Sequence, residues 1–263
     1  MPYRPSKATT GRQAASQPTT GQPATGQPAT GNRVSRRGLF LAGAGLVAGA
    51  GATEAANLLA GGSPADPARP PSPGEDLMTE HGVLKRLLLG YQAVADQLAA
   101  GHTPPAGAIT DAAEIIADYI EGFHEGLEEA YVFPRVRDRE PALVRTLLTQ
   151  HDRGRHLTAA ISTAASEDLG SAAVRRDLRR YLTLFIGMYA PHEAWEDTVI
   201  FPALRTAVPQ RTLDELAERF ADLQNAQYGD HALAQLLSRV TGVEQQLGID
   251  DLNAVTPPLV YRS

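Results

Sequence analysis

The sequence contains no cysteine. This absence excludes disulfide bonds, cysteine-based zinc sites, iron–sulfur ligation and a cysteine that carries a lipid anchor. It does not fix the compartment, because a secreted protein can fold without disulfides. It does mean that no thiolate can serve as a metal ligand in this chain.

Basic charge is scarce in most of the chain. Residues 75–263 carry 17 Lys and Arg against 28 Asp and Glu, a net charge of −11. The first 74 residues differ, with seven basic and two acidic side chains, and they hold 12 of the 24 glycines and 10 of the 19 prolines. A basic low-complexity leader therefore precedes one acidic domain. The acidic charge argues against nucleic acid as a partner, since phosphate binding needs a basic surface.

Two segments of the leader have too few apolar residues to bury a core. Residues 1–34 contain a near-repeat of Thr-Gly-Gln-Pro-Ala between Gly21 and Thr30, and we predict that they are disordered. Residues 57–74 are rich in glycine and proline, which is typical of a linker. The folded domain is therefore predicted over residues 75–258.

The apolar stretch from Gly38 to Ala52 is too short and too rich in glycine for a comfortable transmembrane helix. It follows Ser35-Arg36-Arg37, so a charged region, an apolar stretch and small residues occur in the order of an export signal. Residues 35–56 resemble twin-arginine (Tat) export signals, in which Ser-Arg-Arg is followed shortly by Phe and Leu. The resemblance implies an extracytoplasmic protein that contacts the membrane only through its signal. The alternative is a chance arginine pair ahead of a weak anchor helix.

From residue 75 onward, apolar residues recur with the period of an α-helix, and no convincing alternating strand pattern occurs. The predicted helices span residues 75–100, 109–137, 141–166 and 171–206. A further helix opens near Thr212, its predicted N-cap, with Glu215 three residues later completing a capping box. Short connections between long helices predict antiparallel neighbours. The predicted fold class is therefore all-α, an up-down four-helix bundle with an extra C-terminal helix.

One motif occurs twice in this body. The segments from His124 to Pro134 and from His192 to Pro202 share His, the next Glu, the Glu four residues after His, Phe and Pro, at an offset of 68 residues. The preceding predicted helices supply His81 and His151, which are 70 residues apart. The body is therefore an internally duplicated pair of helical hairpins, each with the pattern His … His-x-x-x-Glu.

The spacing within the motif brings an imidazole and a carboxylate to one point. Residues four apart on a helix lie about 40° apart around its axis and one turn along it. His124 with Glu128, and His192 with Glu196, therefore each present two ligands on one face. A duplicated bundle places equivalent residues around a pseudo-twofold axis, which allows four helices to share two metals. The candidate ligands are His81, His124, Glu128, His151, His192 and Glu196.

Four imidazoles and two carboxylates suit iron or manganese better than a structural zinc site, although the order of metal affinities leaves zinc as an alternative. Six protein ligands cannot fill two octahedral coordination spheres, so positions remain for a bridging oxide and an exogenous molecule. The competing interpretation is four structural histidines, but a buried glutamate without a partner is costly. Glu129 and Asp197 are candidate acceptors for imidazole N–H groups. Leu127 and Trp195 are expected to wall the site.

At these residues the chain resembles the hemerythrin-like family, also called the HHE cation-binding domain. The resemblance covers about residues 75–258 and implies two non-haem iron ions joined by an oxo bridge. Oxygen-carrying hemerythrins have a fifth histidine, whereas this chain has Arg155 four residues after His151, and His156 is expected to miss the metals. The remaining set is more similar to di-iron proteins that respond to nitric oxide or repair iron–sulfur clusters. Cluster-repair members usually carry a cysteine-containing domain, which this sequence lacks.

Three functions share this ligand set. The first is reversible binding or sensing of dioxygen or nitric oxide. The second is an enzyme that turns over peroxide or nitric oxide, and the third is iron storage. Open coordination positions favour the first two, and export favours a sensing or protective role in the cell envelope. The expected partner is a small diatomic or peroxide molecule.

The remaining histidines and a group of arginines are not candidates for the site. His102 lies in a proline-flanked loop and is expected to be solvated. His231 has no carboxylate at ligand spacing and is expected at the surface. A basic helical face, expected to be solvated or paired with acids, is formed by Arg175, Arg176, Arg179 and Arg180.

Overall fold

The computed structural model describes residues 70–258. The predicted disordered leader, the export signal at residues 35–56 and most of the linker lie outside the described residues, so these assignments stay predictions. The described chain forms six helices and contains no strand. Within it, no helix is both long enough and apolar enough to cross a membrane.

The first four helices of the described chain begin and end within three residues of their predicted bounds. Helices α2 and α4 each contain π-helical turns within one continuous helix. A short 3-10 turn follows the last helix at Leu252–Val255. In chain order the helices are α1 (Pro73–Ala99), α2 (residues 106–136), α3 (Pro141–Ser166), α4 (residues 172–207), α5 (Gln210–Tyr228) and α6 (Ala232–Leu247).

Helices α1 to α4 form an up-down bundle in which α1 packs on α4, α4 on α3 and α3 on α2. Their short connections make chain neighbours antiparallel. Helix α6 packs on α1 and α2, and α5 packs on α1. The predicted four-helix bundle is confirmed. The C-terminal extension, however, is two helices where one was predicted, because Gly229 ends α5 with a φ of 81°, a conformation that favours glycine.

The helix starts follow local sequence signals with one exception. Helix α1 begins with a capping box, in which the Ser72 backbone N–H donates to the Glu75 carboxylate at 2.7 Å. The predicted capping box at Thr212 is wrong. Helix α5 begins earlier, at Gln210, after Pro209 in an extended conformation and without a side-chain cap. Proline fixes its own φ, so it sets the helix start ahead of the threonine.

Three π-helical stretches lie beside the candidate ligands, at Ile116–His124, Glu128–Val132 and Glu196–Ile200. The second and third occupy equivalent positions of the repeat. In each, the N–H of the following Phe donates to the carbonyl of the Glu five residues earlier. A Pro comes next in both repeats, and its missing N–H and bulky ring are accommodated by a widened turn. Each half of the repeat therefore shifts from α-helical to π-helical hydrogen bonding, and the shift begins at a candidate ligand, Glu128 or Glu196.

Helices α3 and α4 approach closely near the candidate ligands. Gly154 of α3 is buried, and a Cβ at this position would meet the hydroxyl group of Tyr189 on α4. Tyr189 is itself buried and donates a hydrogen bond of 2.7 Å to Glu125 of α2. Glycine usually weakens a helix interior. Here its missing side chain makes room for a tyrosine that links three helices.

We predict that Gly154→Ala lowers the free energy of unfolding by about 1–3 kcal/mol, because the added methyl group displaces Tyr189 in a packed interior. Gly187→Ala on α4 is the matched control, since its Cβ would have no neighbour within 4 Å. For the control we expect a gain of about 0.5–1 kcal/mol from the better helix propensity of alanine. Chemical denaturation measures both changes, and equal effects of the two substitutions would contradict the close approach.

Candidate metal centre

The structure brings all six candidate ligands into one buried cluster at the centre of the bundle. None is more than 4% exposed, and Glu128, His151 and Glu196 are fully buried. Each of the four bundle helices contributes a histidine, and the two motif helices α2 and α4 also contribute a glutamate. The six side chains are His81 on α1, His124 and Glu128 on α2, His151 on α3, and His192 and Glu196 on α4.

The four imidazoles form two pairs. The rings of His81 and His124 have centroids 4.8 Å apart, and those of His151 and His192 are 5.0 Å apart. Glu128 lies between the pairs, with Oε1 3.5 Å from His124 Nε2 and Oε2 3.5 Å from His151 Nε2. One carboxylate therefore spans both pairs, as a bridging ligand between two ions must.

Glu196 spans the same two pairs from the other side. Its Oε2 lies 3.4 Å from His81 Nε2 and 3.0 Å from His192 Nε2. Ligand atoms lie within 4.8 Å of one another in two groups of three, each made of one histidine pair and one glutamate. The cluster therefore offers two adjacent positions for a cation, with a carboxylate at each.

The carboxylate oxygens of Glu128 and Glu196 test whether the residues fit a metal. All four oxygens are buried, and within residues 70–258 none has a hydrogen-bond partner. A buried carboxylate without a partner is strongly unfavourable, so such groups are paired or coordinate a metal. Oxygen and imidazole nitrogen donors without thiolate suit iron, manganese and zinc. The donor set and the orphaned oxygens fit a cation centre.

The outer ring nitrogen of every candidate histidine has a hydrogen-bond acceptor. A carboxylate or amide oxygen can only accept, so each Nδ1 carries a proton, and in a metal-bound cluster each Nε2 would present its lone pair to the centre. Such contacts fix the ring orientation and raise the basicity of a ligand. The Nδ1 contacts are His81 to Asp197 (2.8 Å), His124 to Glu80 (2.7 Å), His151 to Glu129 (2.9 Å) and His192 to Gln150 (2.9 Å).

Two of these four acceptors were expected and two were missed. Glu129 and Asp197 accept from imidazole N–H groups, as their positions in the repeat suggested. Glu80 and Gln150 were missed, although each immediately precedes a candidate histidine on its helix. Their equivalent positions in the two halves of the repeat could have identified them as hydrogen-bond acceptors. Their partners are on the next helix of the same hairpin, which a single-helix pattern does not reveal.

The duplication also extends to two ion pairs, each between a buried glutamate and an exposed basic side chain, that sequence reasoning missed. Arg155, four residues after His151, places Nη2 2.8 Å from Glu125 Oε2 and 2.7 Å from Glu129 Oε1. Lys85, four residues after His81, places Nζ 2.9 Å from Glu193 Oε2. Both of these basic residues therefore pair with the glutamate that follows a motif histidine in the opposite hairpin.

A third group of possible cation ligands lies next to Arg155. Glu125, Glu129 and His151 could by distance hold a further cation. The Arg155 guanidinium already neutralises both of these glutamates, so this group is an ion pair and not a metal site. His156 points away, with its side chain 72% exposed and its Nδ1 against the Asp152 carbonyl. The expectation that His156 misses the metals agrees with this placement.

Two phenylalanines close the cluster at equivalent positions of the repeat. The Phe201 ring stacks on His81 with centroids 5.5 Å apart, and the Phe133 ring lies 5.5 Å from His151. Both rings are buried. They cover one side of the histidines of α1 and α3 with apolar rings.

Burial and charge set the protonation of the metal-free cluster. Burial raises the pKa of Glu128 well above its usual value, and repulsion from Glu196 adds to this. Burial also opposes ionisation of Glu196, but His192 and His81 outweigh it and hold the pKa of Glu196 below its usual value. Burial disfavours the charged form of His81, yet the hydrogen bond to Asp197 and the nearby Glu196 carboxylate raise its pKa to about 9. At neutral pH the cluster therefore holds protons that a cation would displace.

The expected wall of the site is only half present. Leu127 is buried at 4% exposure, but Trp195 is 55% exposed, so its predicted role as a wall is wrong. Trp195 instead edges a surface recess of about 230 Å³ that also touches His192 and Gln150. Leu127 and Trp195 are equivalent in the repeat but differ in burial, because α5 and α6 pack on the first hairpin.

The residues set aside in the sequence analysis lie outside the cluster. His102 and His231 are both exposed. The arginines of α4 line a surface groove near the end of α1. Among them Arg175 donates to the carbonyls of Leu169 and Gly170, and Arg176 lies 3.4 Å from Asp177. This basic face is therefore partly paired within its own helix and loop.

We predict that Glu128→Gln stabilises the metal-free protein by about 1–3 kcal/mol at pH 7 and weakens its binding of metal. The unfolded carboxyl is ionised at this pH, whereas the buried one must take up a proton, and an amide removes that cost. Because the folded pKa is raised, the cost grows as pH rises above the unfolded value. The gain should therefore shrink as pH falls towards the usual glutamate pKa of about 4.3.

The control for this prediction is Glu218→Gln, which changes an exposed carboxylate on α5. Thermal and chemical denaturation with a chelator present, between pH 4.5 and pH 8, compares the two variants. We expect no pH-dependent gain from the control. A gain in Glu128→Gln that stays constant down to the lowest pH would contradict the burial argument.

Comparison with known proteins places this arrangement in a family. Residues 72–166 and 142–248 match the hemerythrin HHE cation-binding domain, and the two matched segments overlap in α3. An uncharacterized protein of Mycobacterium tuberculosis and one of Mycobacterium bovis are each 41% identical to this chain over 189 residues. This alignment covers 70% of the chain and 73% of each relative. No solved structure matches the chain.

The double match follows the two hairpins of the repeat, since each matched segment begins ahead of one histidine pair. Matches over more than half of the chain agree with the all-helical bundle and with the buried group of histidines and glutamates. This chain belongs to the hemerythrin HHE cation-binding domain family.

Proposed function

We propose that the domain holds two iron ions, one at each histidine pair, and that this centre reversibly binds a small diatomic ligand, dioxygen or nitric oxide. The observation that carries the proposal is the set of four orphaned oxygens on Glu128 and Glu196, enclosed by four Nε2 atoms. Bound iron would supply reversible coordination of the ligand at a position that the protein leaves open.

The chain's own residues support binding in three ways. Glu128 and Glu196 each reach both histidine pairs, so the two ions would share carboxylates. The Nδ1 contacts hold the imidazoles in one tautomer and one orientation. Phe133 and Phe201 exclude water from two of the histidines, which limits side reactions of a bound ligand.

Peroxide turnover at the same side chains is a second candidate, and one observation favours it. In disproportionation of peroxide to water and dioxygen, the proton that the leaving oxygen takes up is returned when a second peroxide is oxidised, and a buried carboxyl lies beside the cluster to relay it. Burial raises the pKa of Glu125 to about 8, and its Oε2 lies 3.8 Å from His151 Nδ1. Tyr189 donates a hydrogen bond to the other oxygen. Glu125 is therefore a buried carboxyl of raised pKa next to a candidate ligand, in contact with Tyr189 and Arg155.

The decisive experiment is metal analysis and visible spectroscopy of anaerobically purified protein. We expect about two irons per chain and a spectrum that changes on addition of air or nitric oxide and returns when the gas is removed. His124→Ala and His192→Ala should each lose metal and the spectral change, since each removes one ligand of a different pair. Sustained peroxide consumption would favour the second candidate. Protein that takes up no metal under these conditions would refute both functions.

We further propose that the chain is exported through its twin-arginine segment, residues 35–56. That route carries folded proteins, so iron could be inserted before translocation. We predict that the double substitution Arg36→Lys and Arg37→Lys blocks export of the full chain from a bacterial host with this pathway. Arg33→Lys, just outside the Ser-Arg-Arg motif, is the control and should be exported normally. Cell fractionation measures both, and unchanged export of the double variant would refute the route.

A further inference from the structure

We propose that the two metal positions are chemically unequal, and that the small ligand binds at the one between His151 and His192. Gln150 is the residue that makes them unequal. The inference rests on the proposed function, because it concerns two ions in the same cluster. It goes beyond that function by naming which side is open, which residue sets the difference and how the ligand arrives.

The first observation is a break in the duplicated set of hydrogen bonds. Glu80 precedes His81 and accepts from His124 Nδ1 at 2.7 Å. Gln150 holds the equivalent place before His151 and contacts His192 Nδ1 at 2.9 Å through its amide oxygen. The other two acceptors are both carboxylates. His192 is therefore the one candidate ligand with a neutral acceptor.

The second observation is that the carboxylate at the opposite position is firmly held. Tyr119 donates to Glu80 Oε1 at 2.9 Å, and Gln224 of α5 donates to the Tyr119 hydroxyl at 2.7 Å. Glu80 and Tyr119 are buried. The acceptor of His124 is thus fixed in an enclosed network that reaches into the C-terminal helices.

The third observation is a recess on the side of Gln150. It measures about 230 Å³ and is lined by Gln150, His192, Trp195 and apolar side chains that include Leu147 and Pro191. Drug-sized ligands need roughly 300–1,000 Å³. A recess of this size, with mostly apolar walls, suits a neutral molecule of a few heavy atoms and gives it a path to His192.

These observations lead to one consequence. A carboxylate on Nδ1–H raises the basicity of the imidazole ligand, and losing such a partner costs about 10–100-fold in metal affinity. His192, which has only an amide partner, is a weaker donor than His124. An ion held by His151 and His192 would therefore be bound less tightly and would be the stronger Lewis acid. This position is also the one next to the recess, so it is where an exogenous ligand would have access.

The test of unequal affinity is an anaerobic competition titration of ferrous iron against a chromophoric chelator. We expect two classes of bound iron whose affinities differ by about 10–100-fold. Gln150→Glu supplies the missing carboxylate and should tighten the weak class at least about tenfold, leaving the tight class unchanged. Glu80→Gln is the mirror substitution and should weaken the tight class. A single class in the unaltered protein, or a weak class that Gln150→Glu does not change, would overturn the inference.

The test of the access route is the rate of nitric oxide binding to the iron-loaded protein in stopped flow. Thr146→Trp places a large side chain in the recess and should slow adduct formation at least about tenfold, with both iron affinities unchanged. Thr163→Trp is the matched control, because both threonines are exposed on α3 and donate to a carbonyl four residues earlier. An unchanged rate in Thr146→Trp would overturn the route.

These outcomes are distinct from failure of the proposed function. If the unaltered protein binds no iron, the function itself is refuted. If it binds two irons with one affinity, the function stands and the inequality of the two positions is refuted. Gln150→Glu is expected to gain affinity, so a folding defect cannot imitate the expected result.

Discussion

The burial of two carboxylates, those of Glu128 and Glu196, is a cost that the rest of the bundle must offset. Neither has a hydrogen-bond partner, and both are fully buried. Such a pair opposes folding unless positive charge accompanies it. Removing a carboxylate from water costs more free energy than its contacts in a nonpolar interior recover. Protons can supply that charge, as the raised pKa values of Glu128 and His81 indicate. A bound cation supplies it better, so stability and metal binding are two measures of the same constraint.

The duplicated hairpins are held together by contacts that each half makes to the other. Asp197 of the second hairpin fixes His81 of the first, and Glu129 of the first fixes His151 of the second. The pairs Lys85–Glu193 and Arg155–Glu125 cross the same boundary in opposite directions. The site is therefore completed only when the two hairpins dock, which couples formation of the bundle to formation of the centre.

Much of this arrangement follows from spacing along single helices. The interval of four residues placed His124 beside Glu128, and the offset of the repeat identified the equivalent pair in α4. Helix period and loop length were enough for the four-helix bundle. Contacts between helices were harder, because no period within α1 indicates that Glu80 meets a ring on α2.

The errors in the prediction have physical causes as well. Thr212 has the chemistry of an N-cap, but the preceding Pro209 sets the backbone of the helix start. Trp195 matches Leu127 in the repeat, yet burial depends on what packs outside the bundle. Helices α5 and α6 lie on the first hairpin, so the two halves differ in their surroundings although their motifs agree.

The same C-terminal helices explain how a symmetric ligand set acquires two different sides. Gln224 of α5 completes the hydrogen bonds of Tyr119, which in turn fixes Glu80 against His124. In the part of the protein that the structure describes, no equivalent series of hydrogen bonds reaches Gln150, which lies beside the recess. A buried carboxylate is costly without hydrogen-bond donors, whereas a neutral amide next to a recess is less so. The enclosed side therefore has a carboxylate acceptor and the open side a neutral one, and in the proposed centre this difference would leave the open side to receive the ligand.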